Sequence, residues 1–107
     1  MKISKLLAAA ALSVVLASPA FADDPLKVGF IYIGPVGDHG WTFTHDQARL
    51  AVEEHFGDQV ETSYVENVAY GPDAERVMTQ MALSGVDMIF ATSFGYGPDV
   101  NNVAERF

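Results

Sequence analysis

Cysteine is absent from the 107-residue sequence. That excludes disulfides, thiolate metal ligands and a lipid-bearing cysteine at the exit of an export leader. Packing and hydrogen bonds must hold the fold alone. Basic residues are scarce, with six Lys and Arg against 14 Asp and Glu. A surface of that sign repels nucleic-acid phosphates and anionic lipid heads, so neither is expected as a partner; the same charge also serves solubility. Long apolar runs are missing too. The most apolar stretch, Leu6 to Leu16, is shorter than the roughly 20 residues of a membrane-spanning helix.

That stretch has another reading. Lys2 and Lys5 precede it, Pro19 disfavours continuing a helix, and Ala20-Phe21-Ala22 forms a small-x-small exit ahead of Asp23 and Asp24. A positive start, a short apolar run and such an exit make a cleavable export signal. Residues 1–22 are therefore expected to be a signal peptide, cut after Ala22. An uncleaved anchor or a buried helix is the weaker alternative. Removing Lys2 and Lys5 leaves four basic residues against the same 14 acidic ones, a formal charge of −10 for residues 23–107. Those residues make only a modest core, and small domains are marginal. The sequence stops at Phe107, on the apolar face of a helix just begun, so a longer protein is expected. Residues 23–107 alone are expected to fold poorly.

Periodicity predicts an α/β fold. Lys27 to Ile33 is a continuous apolar run rich in aromatic and β-branched residues, fitting a strand buried on both faces of a parallel sheet. Trp41 to Phe56 reads as a helix with Trp41, Ala48, Val52 and Phe56 at helical spacing, Ala48 allowing close approach to the sheet and Gly57 as the stop. Val60 to Val65 alternates as a second strand. Pro72 suits a helix start. Ala74, Val77, Met78, Met81 and Ala82 then follow the i, i+3, i+4, i+7, i+8 template, and Gly85 sits where a left-handed cap belongs. Asp87 to Thr92 reads as a short buried strand. Pro98 opens a third helix with Val100, Val103, Ala104 and Phe107 on one face. The order is βαβαβα, with short connections suited to right-handed crossovers in one Rossmann-like parallel sheet.

Ligands of such sheets bind beyond the carboxyl ends of the strands. Three loops are expected there: Gly34 to Gly40, Glu66 to Tyr70 and Ser93 to Gly97. Glycines at 34, 37 and 40 invite comparison with a phosphate cradle. Their spacing is G-x-x-G-x-x-G rather than G-x-G-x-x-G, and Asp38 puts a negative charge among the donors, so a tight turn explains them as well. Trp41 either stacks on a flat ligand or lids the helix start. Phe94 and Tyr96 pose the same question, and Tyr70 reads as a packing residue. Two aromatic-bearing loops on one edge favour a planar, largely uncharged ligand. Asp38 suits either a helix cap or an acceptor for a ligand N–H. His39, His45, Asp38 and Asp46 lack metal-ligand spacing, Ser93 lacks a nucleophile elbow, and no acid–base pair stands out. Neither catalysis nor a cofactor is expected.

The leader, the strand Lys27 to Ile33, the block Gly34-Pro-Val-Gly-Asp-His-Gly-Trp-Thr42 and Ile89-Phe-Ala-Thr-Ser-Phe-Gly-Tyr96 together resemble the basic membrane protein (BMP) family. Its members are ABC-transporter substrate-binding proteins and include the PnrA-like purine-nucleoside receptors. The resemblance spans the whole chain after the leader. It implies a type I periplasmic-binding-protein fold with two lobes around a ligand, residues 23–107 forming the first part of lobe one. By the same resemblance Asp38, Gly40, Trp41 and Thr42 match a block whose aromatic stacks on the purine, Thr42 standing where asparagine is usual. Ser93 and Phe94 match a Gly-Phe pair. Asp38, Gly40, Trp41, Thr42, Ser93, Phe94 and Tyr96 are thus the expected ligand-binding residues. The missing lipid-bearing cysteine implies a free periplasmic receptor of a Gram-negative cell, working with an inner-membrane ABC permease. The alternatives are a Rossmann-like nucleotide-using enzyme, a ligand-sensing regulator, a sensor signalling to a receptor kinase, or a receptor of this fold for a sugar or other small solute.

Overall fold

The computed structural model describes residues 23–107. The expected leader, residues 1–22, lies outside the described residues. The elements run β1 (Leu26–Ile31), α1 (Trp41–Phe56), β2 (Val60–Val65), α2 (Pro72–Leu83), β3 (Met88–Ala91) and α3 (Gly97–Ala104), with short 3₁₀ turns at Gly57–Gln59 and Phe94–Tyr96. The sheet has the order β2-β1-β3, parallel throughout. This is the expected βαβαβα layer. The most apolar run takes the middle position, and Val28 to Tyr32 are buried without a break. Two strands are shorter than the sequence suggests. β1 ends at Ile31, although the Tyr32 N–H still donates to Val65 O at 2.9 Å. Asp87 and Thr92 flank β3 rather than belonging to it.

Alternation along β1 sorts the core into two halves. Ile31 faces α2 and α3, where it packs with Ala74, Val77, Met78, Met81, Tyr96 and Val103. The α2 template holds at Ala74, Val77, Met78 and Met81, which are all buried. Gly85 turns the chain after that helix with φ +93°, a left-handed conformation that glycine adopts at no steric cost. Gly29 has a different reason to be glycine: a Cβ there would stand 2.8 Å from Met81 Sδ. The bare backbone lets α2 lie close against the sheet.

The other face corrects the sequence reading. Val28, Phe30 and Tyr32 point toward α1, but α1 does not meet them with Trp41, Ala48, Val52 and Phe56. Its buried residues are Thr42, Asp46 and Arg49, spaced i, i+4, i+7 on one helical face. Ala48 is exposed, and Val52 only half-buried. Arg49 sits at the centre of a polar network. Its Nε donates to Asp46 Oδ1 at 2.8 Å and its Nη1 to Thr62 Oγ1 at 3.0 Å and Glu53 Oε1 at 3.2 Å. Tyr32 Oη donates to Asp46 Oδ1 at 3.1 Å, and the guanidinium lies 4.6 Å from the centre of the Tyr64 ring. Burial and the Asp46 carboxylate both hold the Tyr32 phenol well above its ordinary range. Burial opposes the charge on Arg49, yet the hydrogen bond and charge of Asp46 outweigh it and the guanidinium stays protonated. The face that the helix turns to the sheet is thus polar.

β3 is only half covered: Met88 and Phe90 are 47% and 48% exposed, although a fully buried strand is what its composition suggests. Phe90 stacks on Phe30 at 5.1 Å between ring centres. An apolar groove of about 430 Å³ runs along this side, lined among others by Val28, Val52, Phe56 and Phe90. A second groove, of about 300 Å³, opens between β3, α2 and α3 and is lined by Met78, Val103 and Phe107. In α3 Val103 is buried and Val100 and Phe107 are exposed, with Phe107 beyond the helix end. No helix among the described residues is long and apolar enough to cross a membrane.

Candidate functional site

Parallel strands deliver all three following loops to one rim, and hydrogen bonds lace them together. Asn67 N–H donates to Gly34 O at 3.3 Å, and Val36 N–H to Glu66 Oε2 at 2.8 Å, joining the first loop to the second. Thr92 Oγ1 donates to Ile31 O at 2.8 Å, fixing the start of the third. Two residues of these loops, His39 and Asn67, hold left-handed backbone at φ +53° and +55°. Both types are among the few non-glycine residues that tolerate it.

Asp38 shapes the first loop. Its Oδ1 accepts the N–H of Gly40 at 2.8 Å and of Phe43 at 2.9 Å, and its Oδ2 accepts the N–H of Thr42 at 3.1 Å. These are donors of the first turn of α1 and of the residue just before it, so Asp38 caps the helix from outside. The backbone donors of Gly40 and Phe43 hold its carboxyl below the usual carboxylate range. A phosphate would have to displace that carboxylate to reach the same N–H groups. The glycines here form a capped turn, and its anion is supplied by the chain itself. A carboxylate has about four acceptor positions, so three backbone donors leave room for one more.

Trp41 opens α1 and is 60% exposed. Its indole Nε1 donates to Thr92 O at 2.7 Å, spanning from the first loop to the end of β3. The His45 ring lies 4.8 Å from it, tilted by 42°. His45 Nδ1 is itself fixed at 2.8 Å from Trp41 O. The indole is thus held at one edge while much of its surface remains open. Phe94, two residues beyond Thr92, is fully exposed on the same rim. Trp41 and Phe94 therefore stand at one end of the sheet, as a shared pocket requires.

Two expected ligand residues turn inward instead. Thr42 is 1% exposed, and its Oγ1 accepts Gly34 N–H at 3.2 Å, so it braces the loop from beneath. Tyr96 is fully buried, with its hydroxyl donating to Val68 O. Burial and the neighbouring Tyr70 push its phenol up to about 12. Tyr96 is a core residue that ties the third loop to the second. Tyr70, read from sequence as packing, takes the outer place. It is 48% exposed, its Oη lies 2.5 Å from Ser93 Oγ, and its ring meets Tyr96 edge-on at 5.0 Å. One signal distinguishes the two tyrosines in the sequence. Tyr96, Asp99 and Val103 share a helical phase, and all three are buried. Asp99 also accepts Gly71 N–H at 2.9 Å, holding the chain next to Tyr70. Among the described residues no group of three or more His, Cys, Asp or Glu side chains is placed to hold a metal ion.

A parallel α/β layer with aromatic-bearing turns gathered at the strand ends places a small-molecule site beyond those ends. The chain belongs to the Bmp family, described as PnrA-like ABC transporter substrate-binding proteins, whose family model matches residues 26–107. It is 54% identical over 93 residues to a purine-binding protein of Brucella abortus (strain 2308), covering 87% of this chain and 27% of that protein. It is 45% identical over 84 residues to TsgA13 of Haloferax volcanii, named as an ABC transporter glucose-binding protein, covering 78% of this chain and 21% of that one. Among solved structures it resembles an ABC transporter solute-binding protein of Conexibacter woesei DSM 14684. That match has a TM-score of 0.65 at 24% identity over 77% of this chain and 26% of the other, and bears on the fold. The chain spans about a quarter of the length of these relatives.

Proposed function

We propose that this chain supplies the ligand-facing part of lobe one of a periplasmic receptor that captures a purine base or nucleoside and delivers it to an inner-membrane ABC permease. Residues 1–22 act as its cleaved export signal. The observation that carries the reading is Trp41: a half-open indole pinned across the rim by Thr92 O, in a chain 54% identical to a purine-binding protein. Trp41 stacks on the base, Phe94 closes over it from the third loop, and the remaining acceptor position of Asp38 takes a ligand N–H. Ser93 adds a hydroxyl, the Gly40 backbone lets the ligand approach closely, and Thr42 holds the turn from below. Closure of the second lobe completes the site without covalent chemistry, so the protein is a receptor and not an enzyme.

A sugar is the second reading, favoured by the likeness to a protein named as glucose-binding. Sugars also stack on aromatic rings, so the preference for a purine rests on the higher identity to the purine-binding protein, 54% against 45%. Calorimetry of the full-length protein with adenine, adenosine, guanosine and glucose separates the two. Heat with a purine and none with glucose is expected. Heat with glucose alone overturns the purine assignment and leaves the receptor standing.

A further inference from the structure

The geometry points to Tyr70 as a third aromatic contact for the ligand, beside Trp41 and Phe94, acting with Ser93 as an uncharged hydrogen-bonding pair. This rests on the receptor reading above and adds a wall to its site. Three observations single out Tyr70. Its ring lies directly on the backbone of Gly95, where a Cβ would fall 2.6 Å from ring atom Cε1 and no farther from its neighbours. Its edge is braced by Tyr96 at 5.0 Å, and its hydroxyl is held by Ser93 at 2.5 Å. Yet 48% of the residue remains exposed. A side chain fixed on one face, one edge and its tip, with the rest open, is preorganised for contact, because little rotamer entropy remains to be lost on binding.

Its place on the rim completes the argument. Trp41 reaches Thr92 O from the start of α1, while Tyr70 reaches Ser93 Oγ from the start of α2. The two rings converge on consecutive residues at the end of β3 from helices on opposite faces of the sheet. Gly95 follows from the same geometry: the third loop needs a bare backbone where Tyr70 lies. The two hydroxyls also leave something over. One proton is used between Tyr70 and Ser93, the other is free to donate, and lone pairs remain to accept. A neutral donor and acceptor beside an aromatic face match the edge of an uncharged heterocycle better than a phosphate or a carboxylate.

The test uses the full-length protein with Tyr70→Phe and Tyr70→Leu, titrated with adenosine and, in parallel, with glucose. Leucine keeps apolar bulk over Gly95 but loses the aromatic face, and a loss of affinity of about tenfold or more is expected. Phenylalanine keeps the ring and loses only the hydroxyl, and a loss of about fivefold is expected with an unchanged melting temperature. Wild-type affinity in Tyr70→Phe removes the hydroxyl from the site, and wild-type affinity in Tyr70→Leu overturns the contact altogether. Should Tyr70→Leu not fold, Gly95→Ala takes its place, because a Cβ there displaces the same ring, and wild-type affinity in that variant overturns the contact. If the wild type takes glucose and no purine, the purine reading fails, and the same two variants titrated with glucose still decide the role of Tyr70.

Discussion

Replacing Trp41 with alanine separates binding from folding, because the structure gives this side chain so little part in the core. It is 60% exposed, and its one hydrogen bond is the exposed contact to Thr92 O at 2.7 Å. Losing that bond costs about 0.5–1.5 kcal/mol of stability at most, since water replaces the indole at an exposed carbonyl. A base that stacks on the indole loses about 1–3 kcal/mol, or roughly five- to 150-fold in Kd. Calorimetry with adenosine and urea unfolding of the same full-length variant read the two effects side by side. Trp41→Phe, which keeps an aromatic face without the N–H, should fall between the wild type and alanine. Unchanged affinity in Trp41→Ala would mean that the ring only lids the helix start. A stability loss far above 2 kcal/mol would refute the view that Trp41 lies outside the core.

Four further outcomes follow from the same geometry. Arg49→Met should destabilise the full-length protein by about 3–5 kcal/mol in urea unfolding, because Asp46 is left buried without its counter-charge; adding Asp46→Leu and Tyr32→Phe should restore most of it. Asp38→Asn should lower the melting temperature near neutral pH. The folded Asp38 carboxyl titrates below its ordinary value, so its contribution is fully present above about pH 4 and lost as pH falls through the folded value; melting curves across pH 2–7 should show the wild type and Asp38→Asn converging at the acid end. Gly95→Ala should displace the Tyr70 ring and weaken adenosine binding in calorimetry, with far-UV circular dichroism unchanged. Residues 23–107 expressed alone should unfold without a cooperative transition, given the uncovered grooves along Phe90 and Phe107.

Sequence pattern carried the fold where burial is apolar and local. α2 was legible because its core face follows the helical template, with Ala74, Val77, Met78 and Met81 buried and Ala82 half-buried, and β1 because a strand buried on both faces leaves a continuous apolar run. The same logic failed on α1. Its buried stripe is Thr42, Asp46 and Arg49, residue types that mark a solvated face until their partners Tyr32, Thr62 and Tyr64 are brought across from the sheet. Those partners lie ten or more residues away in the chain, so no local pattern reveals them. β3 looked buried because composition does not say how many neighbours a strand has, and among the described residues it pairs with β1 alone.

The rim was legible in position and less so in detail. Three loops at the strand ends follow from topology, and Trp41 and Phe94 both stand on that rim. Tyr70 and Tyr96 exchanged places, since a tyrosine in a glycine-rich turn looks the same whether it faces in or out. The helical phase of Tyr96 with Val103 and the need for glycine at position 95 distinguish them, and the second of these emerges only in three dimensions. The double use available to Asp38, cap and acceptor, also emerges only once its three backbone donors are counted.

A crystal structure of the full-length protein grown with adenosine tests the central claim most directly. The base should lie flat against the Trp41 indole at the rim, with Phe94 and Tyr70 close around it. A base bound elsewhere, or an indole still open to solvent in the complex, would contradict it.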